Sequence, residues 1–562
     1  VEPHTPAKPS RFDPIAIVAI SVVTLLVGLG GLALIGPDEP RYAEVAREMF
    51  ASGDYISTRL CGCLWFEKPA LLYWCSAACY HLFGVGEFAA RLPSAIAALV
   101  TVVGLYFWLR EVTSHWIATA SSIVLATSGL FIAYARVAAP DMLLTFSMTL
   151  SLAAVFQVSN GRQAAKLKYW VLFGLGLALA MLSKGLVGLA IVPIIAGSYA
   201  LIRRDSKWIT VRGLLWTVLV FVVVAGIWYV PVTVRYGSQF LIEFFGKHHF
   251  RRYVSNVYGH PQPFYFFFVV CILGITPWSL FLIPAAMRLK RLRPRLNQSD
   301  SLLLFAWLWL AVPLVFFSFS GSKLPGYILP VIPAVAIIAG TEIGEFCTGH
   351  RTPSISIAAW GTAALTVGLA AAFIVFASRE SAPSGWRILL TCSPIVFGLA
   401  AIASLLFKKG QAFSLSIAVS VASIVIGAVI LTFGSLNKQI SLKPLSLEIA
   451  GALRPNERIC FFIKKEFAPV FYDEGRVVCG SGDMDVLNAL REDILERALE
   501  GEQRRGSDSV IVITTENWRR GLENYPRFET HLIARQESPA LRFAFARRDT
   551  EAALAFRVSL KY

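Results

Sequence analysis

Long apolar runs at residues 14–35, 213–234, 264–287 and 354–378 dominate the hydropathy of the chain. Each approaches or exceeds the roughly 20 apolar residues that a helix needs to cross ~30 Å of hydrocarbon. Splitting the other apolar stretches at charged or Pro/Gly-rich breaks predicts about thirteen spans of about 20 residues. They begin near residues 14, 88, 114, 139, 168, 185, 211, 264, 302, 327, 354, 388 and 413. The first run exceeds a signal-peptide core of about 7–15 residues and lacks a convincing cleavage site, so it is expected to remain as a helix. The fold class is therefore a polytopic α-helical membrane protein.

Two segments between the first spans break the pattern. At Tyr42, Val45, Ala46, Met49 and Phe50 apolar residues recur with helical spacing, and Arg41, Glu44 and Glu48 fall on the other side. Asp38, Glu39 and Pro40 suit the start of such a surface helix. The apolar stretch at 69–83 runs only about 15 residues, short for a span, and reads as a helix in or dipping into the membrane interface. Beyond residue 440 the sequence turns mixed and polar. Strand-like runs at 459–463, 509–514 and 542–547 and a helical segment at 484–499 predict a soluble α/β domain over 441–562.

The chain of 562 residues has 56% hydrophobic and 16% charged residues, with a formal net charge of +16. Its Lys and Arg are spread over short gaps between spans rather than gathered in one basic domain, so no nucleic-acid partner is expected. The basic gaps at 8–11, 162–168, 203–212, 288–295 and 408–409 fall on one side of the predicted topology, which makes that side cytoplasmic. Residues 1–13 are then cytoplasmic and 14–440 form the membrane domain, with a periplasmic loop at 36–87. The tail is periplasmic. Nine cysteines show no zinc-finger spacing. Cys460 and Cys479 are either a disulfide or buried thiols.

Charges near membrane depth are costly and are functional candidates by default. They gather at the periplasmic gaps: Asp38, Glu39, Arg41, Glu44, Glu67, Lys68, Arg136, Asp141, Lys184, His248, His249, Arg251, Arg252 and Lys323. Carboxylates beside cations suit a lipid-linked sugar phosphate, the cations stabilising the leaving phosphate and a carboxylate orienting the acceptor. Each residue also has a plainer reading. Asp38 suits a helix N-cap, Glu67–Lys68 an interfacial ion pair, Arg136 and Asp141 a loop staple, and Lys184 and Lys323 snorkelling span ends. His248 and His249 are either loop histidines or, with His260 and Glu67, ligands of a bound zinc; no cofactor is required by the chemistry.

At Gly36-Pro37-Asp38-Glu39-Pro40-Arg41-Tyr42-Ala43-Glu44 and Phe66-Glu67-Lys68-Pro69-Ala70-Leu71-Leu72-Tyr73-Trp74 the sequence resembles the bacterial lipid A 4-amino-4-deoxy-L-arabinose transferases. Arg136-Val137-Ala138-Ala139-Pro140-Asp141, Ser183-Lys184-Gly185 and 323–330 extend the likeness. These enzymes are GT-C membrane glycosyltransferases, related to the protein O-mannosyltransferases. The resemblance implies a GT-C fold and movement of aminoarabinose from undecaprenyl phosphate to a lipid A phosphate, which masks charge and gives polymyxin resistance. It implies Asp38 as the catalytic acid residue, with Lys68 and either Arg251 or Arg252 on the donor phosphate. Tyr42, Glu67, Asp141 and Tyr327 would line the sugar and acceptor cavity, and Arg41, Glu44, Arg136, Lys184 and Lys323 belong to the same polar set. Membrane lipids surround the protein, which is expected to be a monomer in the bacterial inner membrane. A protein O-mannosyltransferase is the first alternative and a lipid-sugar transporter or flippase the second. The latter would call for inverted repeats or charges in mid-span, and neither is found.

Overall fold

The computed structural model describes residues 12–160, 166–251, 262–289, 298–380, 385–441, 443–454, 458–461, 471–472, 509–515, 528–536 and 553–560. Among the described residues ten helices are long and apolar enough to cross a membrane, twelve if each of two bent pairs counts as a span. The remaining predicted span, the first in the chain, is the helix Phe12–Leu26, and its 15 residues make it shorter than a full crossing. The chain is a multi-pass membrane protein.

Contacts divide the chain into two compact units: Val1–Leu29, Phe66–Leu72 and Arg91–Leu431 in the first, and Gly30–Trp65, Tyr73–Ala90 and Thr432–Tyr562 in the second. The first loop thus groups with the tail.

In the first unit the span Pro325–Cys347 is 94% buried and forms the centre, whereas Val211–Gly246 is only 22% buried and presents its apolar surface outward. Gly340 and Gly344 let the central span lie directly on the helix His115–Ala126. A Cβ on Gly340 would stand 2.5 Å from the Cα of Ser121, and one on Gly344 2.8 Å from the amide of Ile117. Small residues four apart permit such backbone approach where lipid offers no hydrophobic drive. The two bent pairs, His115–Ala126 with Gly129–Ala135 and Phe266–Gly274 with Trp278–Leu289, break by 60° and 109°. Their breaks meet: the buried Trp278 indole donates to Thr127 Oγ1 at 2.9 Å. The Thr127 hydroxyl in turn donates to the Ile123 carbonyl at 2.6 Å, the kind of side-chain partner that backbone groups at a broken span need.

In the second unit Asp38–Ser52 and Leu71–Phe83 are helices of 15 and 13 residues. The latter is shorter than the length a helix needs to span. Between them β1 (Arg59–Leu60) and β2 (Cys63–Leu64) form a small hairpin, and Cys61 in its turn is disulfide-bonded. The tail builds a sheet from β3 (Arg458–Phe461), β4 (Ser509–Thr515), β5 (Phe528–Gln536) and β6 (Ala553–Leu560), in the order β3-β4-β6-β5. β3 runs parallel to β4 and the other pairings are antiparallel. The helix Lys443–Ala452 is joined to it by Arg557, which donates to the Ala452 carbonyl at 2.6 Å. The predicted helix at 484–499 and strand at 542–547 lie outside the described residues, as do the side chains of Cys460 and Cys479.

Candidate active site

Three sequence motifs far apart in the chain converge in the first unit. Asp141 lies in the first turn of the helix Pro140–Asn160, and Lys184 ends the helix Lys166–Lys184, each with the charge that its helix terminus favours. Lys184 Nζ reaches Asp141 Oδ1 at 2.5 Å and sits 4.9 Å from the centroid of the Tyr327 ring, so its charge is compensated by a carboxylate and a π-face together. Tyr327 belongs to the 3-10 turn Pro325–Val331. Its neighbour Gly326 is required by close approach, because a Cβ there would stand 2.7 Å from both Asp141 Oδ1 and the Tyr134 hydroxyl. Tyr134 is therefore part of this cluster, and no charge or periodicity singled it out in the sequence.

Glu67 and Lys68 form a buried ion pair at 2.7 Å, 5% and 8% exposed, rather than a solvated interfacial pair. Phe66 seats this segment on Tyr236 and Phe240, each with ring centroids at 5.3 Å. Lys323 is also buried and donates to the Ser320 carbonyl at 2.8 Å. Snorkelling to water therefore does not describe it.

Arg136 donates to the carbonyls of Thr24 at 3.3 Å and Val27 at 2.7 Å. Arg91, which the sequence reading passed over, donates to Leu29 at 3.0 Å. Both guanidiniums thus meet open carbonyls at and beyond the end of the first helix, a favourable place for cations. Of the two loop-stapling candidates, Arg136 does staple, while Asp141 joins Lys184 instead.

The second unit holds the other predicted group. Asp38 opens the helix Asp38–Ser52, but Pro37 occupies the N-cap and the Asp38 side chain, 51% exposed, pairs with Arg41. Glu39 makes the capping-type contact, accepting the Ile35 amide at 2.8 Å. The Arg41 guanidinium lies 5.4 Å from the Tyr42 ring and 5.5 Å from that of Trp65, so two aromatic faces hold the cation that holds Asp38. Tyr42 itself is buried against Tyr73.

Glu44 corrects the expectation of a polar outer face. It is fully buried and accepts from Arg47 through both oxygens at 2.7 Å. Burial pushes its pKa up to about 7, against the pull of Arg47. The helix buries a broader stripe than the apolar positions alone mark out, and the bidentate pair is what admits a carboxylate to it.

The side chains of His248, His249, Arg251, Arg252 and His260 lie outside the described residues. Among the described residues no three His, Cys, Asp or Glu side chains gather as metal ligands.

This architecture is the GT-C fold of membrane glycosyltransferases. The chain superposes on the crystal structure of ArnT from Cupriavidus metallidurans bound to undecaprenyl phosphate with a TM-score of 0.76 at 24% identity, covering 96% of this chain and 97% of that one. The Archaeoglobus fulgidus oligosaccharyltransferase in its apo form superposes more distantly, with a TM-score of 0.52 at 12% identity over 92% of this chain and 71% of that one. In sequence the chain is similar to the undecaprenyl phosphate-α-4-amino-4-deoxy-L-arabinose arabinosyl transferases. It is 31% identical to that of Pseudomonas aeruginosa strain UCBPP-PA14, over 61% of each chain. The corresponding Edwardsiella ictaluri enzyme is 31% identical over 63% of each. The matched stretch therefore spans less than two thirds of these relatives' length. Residues 67–229 match the dolichyl-phosphate-mannose-protein mannosyltransferase family.

Proposed function

We propose that the chain transfers 4-amino-4-deoxy-L-arabinose from undecaprenyl phosphate to a phosphate of lipid A, at the periplasmic face of the bacterial inner membrane. The observation that carries this reading is the cluster of Asp141, Lys184 and Tyr327 together with the buried Glu67–Lys68 pair, all within the motifs that carry the resemblance to the arabinosyl transferases. Charges kept at membrane depth at such cost suit a charged lipid substrate.

In this reading an acceptor phosphate oxygen attacks the anomeric carbon of the sugar, and the bond from that carbon to the donor phosphate oxygen breaks. Undecaprenyl phosphate leaves with the electron pair. Lys68, together with Arg251 or Arg252, holds the departing phosphate and supplies the positive charge that the step demands, so no resident cofactor is needed. Asp141, Lys184 and Tyr327 contact the sugar. Because a phosphate monoester with a second pKa of about 6 is already largely a dianion at neutral pH, Asp38 orients the acceptor or pairs with positive charge on the sugar instead of removing a proton. Masking the lipid A phosphate lowers affinity for cationic peptides such as polymyxin.

The match over residues 67–229 favours a second reading, a protein O-mannosyltransferase, in which an acceptor hydroxyl would need Asp38 as a true base. Lipid A mass spectrometry separates the two. In a polymyxin-sensitive strain lacking its own transferase, the chain is expected to add aminoarabinose and its Lys68→Ala variant to add at least about a hundredfold less. Absence of the adduct despite inserted protein and donor lipid would move the assignment to the mannosyltransferase.

A further inference from the structure

The stretch leading into Asp38 has no regular structure over residues 31–35, so its backbone amides need partners from elsewhere. Three consecutive amides find side chains. Ala33 donates to Asn437 Oδ1 at 2.7 Å, Leu34 to the Tyr472 hydroxyl at 2.9 Å, and Ile35 to Glu39. Asn437 returns a bond from Nδ2 to the Gly31 carbonyl at 2.8 Å, gripping the strand in both directions as a neighbouring β-strand would. The Tyr472 hydroxyl in turn donates to Glu87 Oε1 at 3.0 Å. Lys443 pairs with the same carboxylate oxygen and lies 5.2 Å from the centroid of the Tyr472 ring.

We infer that Asn437 and Tyr472 are positioning residues for the transfer reaction: the C-terminal part of the chain fixes residues 31–35 and thereby the placement of Asp38, three residues further on. The inference rests on the proposed role of Asp38. The pattern exceeds what a domain merely resting on a loop requires, because consecutive main-chain groups are each met by a dedicated polar side chain. The Tyr472 hydroxyl is used twice, as acceptor and as donor. Lys443 and Glu87 lock that hydroxyl by settling which of its neighbours accepts.

Two measurements on the full-length protein in lipid nanodiscs test it. In hydrogen exchange, Tyr472→Phe and Asn437→Leu are expected to speed exchange of the Ala33, Leu34 and Ile35 amides about tenfold while the membrane helices keep their protection. In transfer assays the same variants should lower kcat about tenfold with KM for the donor lipid within about twofold, and Asn437→Asp, which keeps the acceptor for Ala33, should recover part of the loss. Unchanged exchange at 33–35 overturns the clamp. So does a loss of activity that only tracks the loss of folded protein, or one confined to KM. If the parent chain transfers no aminoarabinose, the proposed function fails, and the exchange arm still decides whether the C-terminal part holds this stretch.

Discussion

Two carboxylate–cation pairs in this protein both rest the cation on aromatic rings but differ in burial and in the elements they join. Asp141 and Lys184 join the ends of two membrane helices, with side chains 13% and 15% exposed, and a tyrosine ring covers the cation. Asp38 and Arg41 lie one turn apart on a single loop helix, with Asp38 half exposed. A buried pair is held by the absence of alternatives, since either partner alone would be an uncompensated charge. An exposed pair gains little from its own attraction. Asp38 is therefore placed by what surrounds it, Arg41 on two rings and the 31–35 stretch, and the proposed function has it exchange Arg41 for a substrate. The first pair is fixed by the fold of its own unit, whereas the second leaves its carboxylate half exposed.

The largest expected effect follows from that contrast. Asp38→Asn should lower transfer about a thousandfold, as for loss of a charge that holds the substrate in the transition state, yet leave the thermal midpoint within about 1 °C, because an exposed pair is worth about 0–1 kcal/mol. Mass spectrometry of lipid A together with a melting curve of the purified variant checks both halves. Near-normal transfer would remove Asp38 from the mechanism, and a large drop in midpoint would make it a structural residue.

The buried pair should behave in the opposite sense. Asp141→Leu alone strands Lys184 against Tyr327 and should cost roughly 3–5 kcal/mol of stability. Adding Lys184→Met should restore most of that stability, since two apolar side chains replace a desolvated pair, without restoring transfer. A double-mutant cycle on unfolding in detergent supplies the test, and additive losses would mean that the two side chains do not depend on each other.

Much of the membrane part could be read from the sequence because its elements are long and locally encoded: apolar runs start close to where the spans start, and Gly, Pro and charged breaks mark their ends. Asp141, Lys184 and Tyr327 were legible as candidates for the same reason, as charges or family motifs at span ends. Their convergence was not, because it depends on Gly326, whose missing side chain admits both Asp141 and Tyr134. The tail shows the same divide. β4 carries the buried run Ile511, Val512 and Ile513 and was predicted nearly to the residue, whereas the edge strand β5 leaves His531, Leu532 and Arg535 exposed and lacks the alternation that marks a half-buried strand. The Asn437 and Tyr472 contacts bridge separations of about 400 residues, which no local pattern encodes.

The smallest effect lies within one helix, where Glu44 sits six residues beyond Asp38 but is buried with Arg47, next to Glu48. Its pKa is raised from 4.5 to about 7 in the folded protein, so between those values the folded state holds a proton that the unfolded chain has released. The stability contribution of this group is accordingly full below about pH 4.5, falls as the pH rises toward 7, and is level above that. Glu44→Gln cannot titrate and should flatten this part of the profile. The expected result is a difference in thermal midpoint between parent and variant that drifts in the variant's favour from pH 5 to pH 7.5 and then stops. Parallel curves across that range would mean that Arg47 keeps Glu44 ionised throughout, and would make the bidentate pair, not burial, the stronger influence on it.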